Sequence, residues 1–167
     1  MFKTITAEEL NDNVFKMIGK DWLLVTAEKD GKANTMTASW GSVGIMWGKP
    51  CAFVFIRPQR YTKEFVDTAD TFSLTVPGDE YRKVLNYCGT VSGRDEDKIA
   101  KSGLTLAHEG NTPYFEEGKV VLICKKLFAQ ELKEESFIDK SLIDKWYPSK
   151  DYHTMYVAEI EKVLVKA

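Results

Sequence analysis

Short apolar runs, several of them alternating with polar residues, recur along the chain with the length and period of β-strands. Strands are predicted over residues 22–27, 33–43, 51–56 and 72–76, near 103–107, and over 119–132 and 152–165. The Asp30-Gly31 pair between the first two segments predicts a β-hairpin. A stretch at 44–48, bounded by glycines, interrupts the second strand, and Pro50 introduces the third.

Short helical segments lie between these strands. Thr6 followed by Glu9 predicts a capping box at an N-terminal helix, and Ser92 with Asp95 predicts another. Further short helices are predicted over 61–69, 80–88 and 139–144. About seven strands with few helices predict a mainly β fold, an antiparallel β-barrel with helical excursions. Because no repeat, linker or low-complexity segment occurs, we expect one domain over residues 1–167.

Composition narrows the class of protein. The chain has 167 residues, 44% of them hydrophobic, and a net charge of -2 with both signs interleaved, so no basic surface for nucleic acid is predicted. Three separated cysteines argue against a disulfide framework and fit a reducing compartment. The N-terminus lacks the apolar core of a signal peptide, and no apolar run is long enough to span a bilayer. We therefore expect a cytoplasmic protein without membrane contact.

The segment 34–41 has the composition of a pocket for a flat ligand. Strand alternation places Thr35, Thr37 and Ser39 on one side of the strand. The opposite side carries Asn34, Met36, Ala38 and Trp40. Hydroxyl groups and strand backbone would bind the polar edge of a ring, and Trp40 or Trp47 would offer a flat apolar surface. The alternative is a half-buried strand with a Thr-rich solvent face.

Two arginines follow the third strand. Pro58 keeps Arg57 out of helical geometry, while Arg60 and the hydroxyl of Thr62 lie at the start of the next helix. Guanidinium groups and free helix N–H groups together form a phosphate cradle, although two solvated arginines are the alternative. A ligand that is flat at one end and anionic at the other, such as FMN, would suit both segments.

The segment 88–98 is a second candidate anion site, with a glycine-containing loop, Ser92 and Lys98; an ordinary capped helix is the alternative. His108 and His153 have no partner at a catalytic spacing, so surface or structural roles are expected for both. The chain has no Rossmann, P-loop, serine-hydrolase or zinc-protease motif and no cysteine or histidine pair with metal-ligand spacing. Catalytic power, if the chain has any, is therefore expected to come mainly from a bound cofactor.

Four motifs in this order, at 34–41, 44–50, 56–62 and 87–98, resemble the flavin reductase-like, FMN-binding split-barrel family, and within it the flavoredoxin-like branch. The resemblance runs from about Trp22 to Val165. It implies an antiparallel split β-barrel and a homodimer, with non-covalent FMN near the subunit boundary. It also implies electron transfer from a reduced nicotinamide, or from a protein electron donor, to an acceptor.

Position by position, the resemblance implies that residues 35–41 line the flavin ring and ribityl chain, with Trp40 and Trp47 shaping the ring pocket. Arg57, Arg60 and Thr62 would hold the phosphate, helped by Ser92 and Lys98. The candidate cofactor-binding residues are Asn34, Thr35, Met36, Thr37, Ala38, Ser39, Trp40, Gly41, Trp47, Arg57, Arg60, Tyr61, Thr62, Cys88, Ser92 and Lys98. Three alternatives stay open: a non-enzymatic FMN electron carrier, a binder of haem or another small ligand, and an interaction module without a ligand.

Overall fold

The apolar runs form ten β-strands in the computed structural model, which describes residues 1–167. The strands are β1 Phe2–Ile5, β2 Leu23–Lys29, β3 Lys32–Ala38, β4 Gly41–Met46, β5 Lys49–Ile56, β6 Thr71–Pro77, β7 Leu106–Glu109, β8 Thr112–Phe115, β9 Gly118–Glu131 and β10 Thr154–Lys166. The helices are α1 Val14–Lys16, α2 Tyr61–Thr68, α3 Arg82–Thr90, α4 Lys98–Ser102 and α5 Ser141–Trp146. A π-helical turn at Met17–Asp21 continues α1. None of these helices combines the length and the apolar character that crossing a membrane requires.

Eight strands form one antiparallel sheet in the order β3-β2-β6-β9-β10-β5-β4, with β1 also paired to β10. Strands β7 and β8 form a separate hairpin. The two terminal strands, β3 and β4, do not pair with each other, so the curved sheet stays open between them. The predicted mainly β, antiparallel fold with few short helices is confirmed, and the barrel is split rather than closed.

The main hydrophobic core lies on the inner face of this sheet. Val25 and Met36 face each other across the β2–β3 pair, and Phe72 of β6 is fully buried beside them. Helix α2 closes the core through Phe65, and the π-helical turn contributes Met17. Full burial of each such side chain stabilises the fold by about 1.5–3 kcal/mol before the entropy of ordering it is subtracted.

The outer face of β2 and β3 is covered as well. Leu24 of β2 packs in a second cluster with Leu85 and Cys88 of α3 and with Phe115 of β8. Strand β3 is therefore buried on both faces along most of its length, and a ligand can reach it only at its C-terminal end.

The predicted hairpin at Asp30-Gly31 is confirmed, since both residues have positive φ (51° and 72°), as a tight two-residue turn requires. The single strand predicted over 33–43 is wrong. The chain leaves β3 after Ala38 and begins β4 at Gly41, which pairs with β5 at the opposite end of the sheet.

Two other helix and strand predictions need correction. Helix α4 begins at Lys98 rather than after Ser92, because the carboxylate of Asp97 accepts a hydrogen bond from the Ala100 amide (3.0 Å) and caps it. Strands β1 and β8 were not predicted, since each is only four residues long and too short for a clear alternation. The predicted capping box at Thr6 and Glu9 is confirmed, because the Thr6 amide donates a hydrogen bond to the Glu9 carboxylate (2.7 Å).

Gly41 is required where β4 begins. Its φ of +155° is uncommon for residues with a side chain, and an added Cβ would lie 2.7 Å from the carbonyl oxygen of Phe53. We expect Gly41→Ala to lower the free energy of unfolding by about 1–2 kcal/mol in urea titrations. Gly44→Ala in the same strand is the matched control, because no atom lies within 4 Å of its added Cβ. Equal effects of the two substitutions would contradict this explanation.

Candidate functional site

A cavity of about 280 Å³ opens where the end of β3 meets the β5–β10 pair. The pairing of Thr154 with Ile56 brings the end of β5 next to the residues that precede β10. Arg57 and His153, which flank this pair, therefore reach the same wall. The cavity is lined by Met36, Thr37, Ala38, Ser39, Trp40, Phe55, Arg57, Arg60, Trp146 and His153.

One wall of the cavity is aromatic. The rings of Trp40 and Trp146 meet edge to face, with their centroids 5.0 Å apart. The His153 ring lies 5.2 Å from Trp40 and tilted by 40°. Trp40 and Trp146 are each 40% exposed, so part of each ring faces the opening. Such a wall suits a flat ligand, because ring faces and edges attract one another beyond the area that they bury.

The opposite end of the site is cationic. Arg60 donates from Nη1 to the carbonyl of Gly89 (2.9 Å), and the ammonium of Lys98 donates to Cys88 (3.0 Å) and Val91 (2.9 Å). These carbonyls belong to the C-terminal end of α3, whose dipole favours positive charge. Neither cation forms an ion pair with a carboxylate.

Burial makes these two charges costly. Lys98 is only 3% exposed, and burial together with the neighbouring Arg60 lowers its pKa to about 8. Desolvation also lowers the pKa of Arg60, although that group stays charged at neutral pH. One buried cation and one half-buried cation, held only by carbonyl dipoles, create a positive potential that a bound anion would relieve.

Arg57 differs from Arg60 because it already has a counterion. Its Nη1 donates to Asp151 (2.7 Å), its Nη2 donates to the Trp146 carbonyl (2.8 Å), and its guanidinium lies 4.9 Å from the centre of the Tyr147 ring. Hydrogen bonds from Gln59 and Arg57 lower the pKa of Asp151. Arg57 therefore holds the segment before β10 in place and adds little net charge to the cavity.

The hydroxyl groups predicted to face the ligand are mostly engaged with the protein. Thr35 is fully buried, with its hydroxyl hydrogen-bonded to that of Thr26 (2.9 Å), and it does not line the cavity. Thr37 reaches the cavity wall, but its hydroxyl donates to the Leu85 carbonyl (2.5 Å). Only Ser39, at the exposed end of the segment, has a hydroxyl without a protein partner.

Several other predicted residues position the site without lining it. The Asn34 amide donates to the Thr62 hydroxyl (2.8 Å), and both are buried, which fixes β3 against the first turn of α2. An added Cβ on Gly93 would lie 2.1 Å from the Asn34 oxygen, so the α3–α4 loop packs directly on this contact. Tyr61 packs edge to face on Phe65, 4.9 Å between centroids.

The remaining predicted residues lie farther from the cavity. Cys88 is fully buried, and desolvation raises the pKa of its thiol. The Ser92 hydroxyl accepts from the Arg94 amide (3.2 Å) in a turn. Trp47 occupies the β4–β5 turn against Phe128 (6.1 Å), so within one chain it does not shape this cavity. Gly41 lines a neighbouring cavity instead.

Sequence reasoning missed Phe55, Trp146 and His153 as lining residues. Of the surface or structural roles expected for His153, burial (8% exposed) and the hydrogen bond between its Nδ1 and the Tyr147 hydroxyl (2.7 Å) fit the structural one. Burial, with a smaller effect of Arg57, lowers its pKa to about 4, so the imidazole is neutral at pH 7. Its position six residues after Tyr147 gives no periodic signal, because the chain between them is irregular.

The family assignment comes from residues 17–167, which match the model described as "Flavin reductase like domain". The chain therefore belongs to the flavin reductase-like domain family, as the motifs predicted. An uncharacterised protein of Archaeoglobus fulgidus is 32% identical over 96 residues, 56% of this chain. The chain spans 54% of that relative's length and 62% of the length of the Escherichia coli protein YddH, to which it is 27% identical.

Solved structures share the fold over nearly the whole chain. An FMN-binding domain of a flavin reductase-like enzyme from Shewanella baltica has a TM-score of 0.72 at 17% identity, covering 99% of this chain and 77% of its own. Flavoredoxin from Methanosarcina acetivorans has a TM-score of 0.68 at 25% identity, covering 97% and 76%. The predicted split-barrel fold is thereby confirmed.

Proposed function

We propose that this protein is an FMN-dependent flavin reductase-type oxidoreductase that passes electrons from a reduced nicotinamide to an acceptor. The observation that carries the proposal is the pairing of an aromatic wall with two cations that lack carboxylate partners, the half-buried Arg60 and the buried Lys98. FMN is flat at one end and dianionic at the other. The aromatic wall therefore suits the flat end of FMN, and the two cations suit its dianionic end.

Different residues of the chain would bind the phosphate and the ring of FMN. Arg60 would donate to the phosphate, together with free backbone N–H groups at the start of α2, where no side chain caps the helix. Lys98 would strengthen the potential at that end without direct contact. Trp40 and Trp146 would shield the ring from water, and Ser39 with the strand backbone would hydrogen-bond its polar edge.

When bound, FMN supplies the capacity to accept a hydride and to release electrons singly or in pairs. The protein's part is orientation and electrostatics, so no side chain need act as an acid or a base. His153 is neutral at physiological pH and contributes a hydrogen-bonding group rather than a charge to the wall. Arg57 and Asp151 keep the wall in position through their ion pair.

Two finer points belong to the same proposal. A homodimer is supported by exposed apolar side chains around the β4–β5 turn, where Trp47 is 56% and Ile45 69% exposed. A non-enzymatic electron carrier is the second candidate function, because partly exposed tryptophans at the cavity mouth also suit contact with a protein partner. The carrier would exchange electrons only with that partner.

Spectroscopy and anaerobic reduction test the proposal together. The purified protein, or the protein incubated with FMN, is expected to show flavin absorption at one FMN per chain. Under anaerobic conditions, addition of NADH or of NADPH, tested in turn, is then expected to bleach the flavin absorption. Bleaching by neither, with rapid reduction by a low-potential chemical reductant, favours the carrier. A colourless protein that takes up no FMN contradicts both functions.

A further inference from the structure

A second cavity, of about 450 Å³, shares Trp40 with the first. It fills the space between the N-terminal helical segment and the gap that separates β3 from β4. Ser39 and Trp40 line both cavities, so the two are adjacent. The second cavity is lined by Val14, Phe15, Ile18, Gly19, Ser39, Trp40, Gly41, Ser42 and Val43.

The chemistry of this lining differs from that of the first cavity. None of its residues is charged, and Val14, Ile18 and Val43 give it an aliphatic surface. Its polar groups are the hydroxyls of Ser39 and Ser42 and the backbone of residues 39–43. Because β4 has one edge without a strand partner, N–H and C=O groups on that edge are free to bind a ligand. An apolar lining with a few such groups suits a small uncharged organic molecule.

The N-terminal wall of the second cavity has an unusual backbone. The π-helical turn Met17–Asp21 ends at Trp22, whose φ of 67° and ψ of 167° lie in a region used almost only by glycine. Arg82 fixes this end, with its guanidinium 4.3 Å from the centre of the Trp22 ring and a hydrogen bond to the Lys20 carbonyl (2.6 Å). Trp22 packs in the outer cluster and does not line the cavity, to which the π-helical turn contributes Ile18 and Gly19.

We propose that the second cavity binds the electron acceptor, and that this acceptor is a flat, uncharged carbonyl compound of the quinone class. The acceptor role rests on the proposed function. The reaction balances when a reduced nicotinamide gives a hydride, water gives one proton, and the quinone gains both electrons and both hydrogens to become a hydroquinone. The absence of charge in the lining selects against anionic acceptors, which would be drawn to Arg60 instead.

Menadione is a suitable probe for binding without turnover. All three cysteines are buried, so addition of the quinone to thiols does not obscure the measurement. Amide correlation spectra of the FMN-free protein are expected to show menadione-dependent shifts at Gly19, Gly41 and Ser42. The same shifts, with a dissociation constant within about twofold, are expected for the FMN-loaded protein.

Two glycine substitutions form a matched pair. No atom lies within 4 Å of an added Cβ at Gly19 or at Gly44, so a leucine side chain starts in open space at both positions. Gly19→Leu would occupy part of the second cavity and is expected to raise the menadione dissociation constant at least about tenfold, whereas Gly44→Leu, outside it, changes it by less than about twofold. Both variants are expected to take up FMN as the unmodified protein does.

Three results would overturn the inference. The first is that menadione shifts no amide in the second cavity, and the second is that FMN displaces it. The third is that a second copy of the chain covers Gly19 and Phe15 in solution, which spectra at several protein concentrations would reveal. FMN uptake without menadione binding refutes this inference alone. Menadione binding without FMN uptake refutes the proposed function and, with it, the acceptor role of the cavity.

Discussion

Arg60→Ala is expected to weaken FMN binding by about 1.5–3 kcal/mol, or roughly 10- to 150-fold in the dissociation constant. Arg60 lines the first cavity and has only the Gly89 carbonyl as a protein partner, so its charge is available to a phosphate. Titration of FMN fluorescence at a fixed, low ionic strength measures the effect, because salt screens the interaction. Arg60→Lys keeps the charge but loses the planar fork, so it should recover part of the affinity.

Arg57 provides the matched control for this experiment. Arg57→Ala alone would leave the Asp151 carboxylate unpaired beside the cavity and would repel the phosphate indirectly. The double substitution Arg57→Ala with Asp151→Ala removes a neutral pair instead. We expect that variant to bind FMN within about 1 kcal/mol of the unmodified protein. A loss as large as that of Arg60→Ala would show that both guanidinium groups hold the phosphate, as the sequence pattern alone had indicated.

Local sequence patterns were sufficient for most of the longer strands and for the Asp30-Gly31 hairpin. Alternation and turn residues act within a few positions, so they are readable without the fold. They were not sufficient at Gly41, where the chain passes from one end of the sheet to the other. The close approach of Phe53 that requires this glycine depends on the β4–β5 pairing and has no local signal.

The difference between local signals and contacts made by the fold also explains which residues of the candidate site were predicted. Alternation correctly placed Thr35 and Thr37 on one face of β3, but it could not show that α3 covers that face and engages the Thr37 hydroxyl. The arginines were found because charge near a helix start is a local feature. Trp146 and His153 reach the cavity only because β10 pairs with β5, a contact between residues about one hundred positions apart in the chain.

Burial of His153 is expected to make the stability of the FMN-free protein depend on pH. The pKa of this imidazole is about 4 in the folded protein, against 6.5 for an ordinary histidine. Between these values the unfolded chain binds more protons than the folded one, so acid favours unfolding. The contribution of neutral His153 is therefore complete above about pH 6.5 and is lost as the pH falls to 4. Allowing for solvent at the cavity, it amounts to about 2 kcal/mol.

Urea unfolding at several pH values isolates this contribution when His153→Asn is compared with the unmodified protein. Other carboxylates begin to titrate near pH 4 as well, but they do so in both proteins, and the folded-state pKa of Asp151 beside Arg57 is lowered out of this range. The difference in unfolding free energy between the two proteins should therefore change by about 2 kcal/mol from pH 7 to pH 4. His108→Asn is the control, since His108 is exposed and contacts Glu28 at the surface (2.7 Å). A difference that stays constant with pH would mean that His153 takes up its proton in the folded protein as readily as in the unfolded chain, and that solvent reaches it freely within the cavity wall.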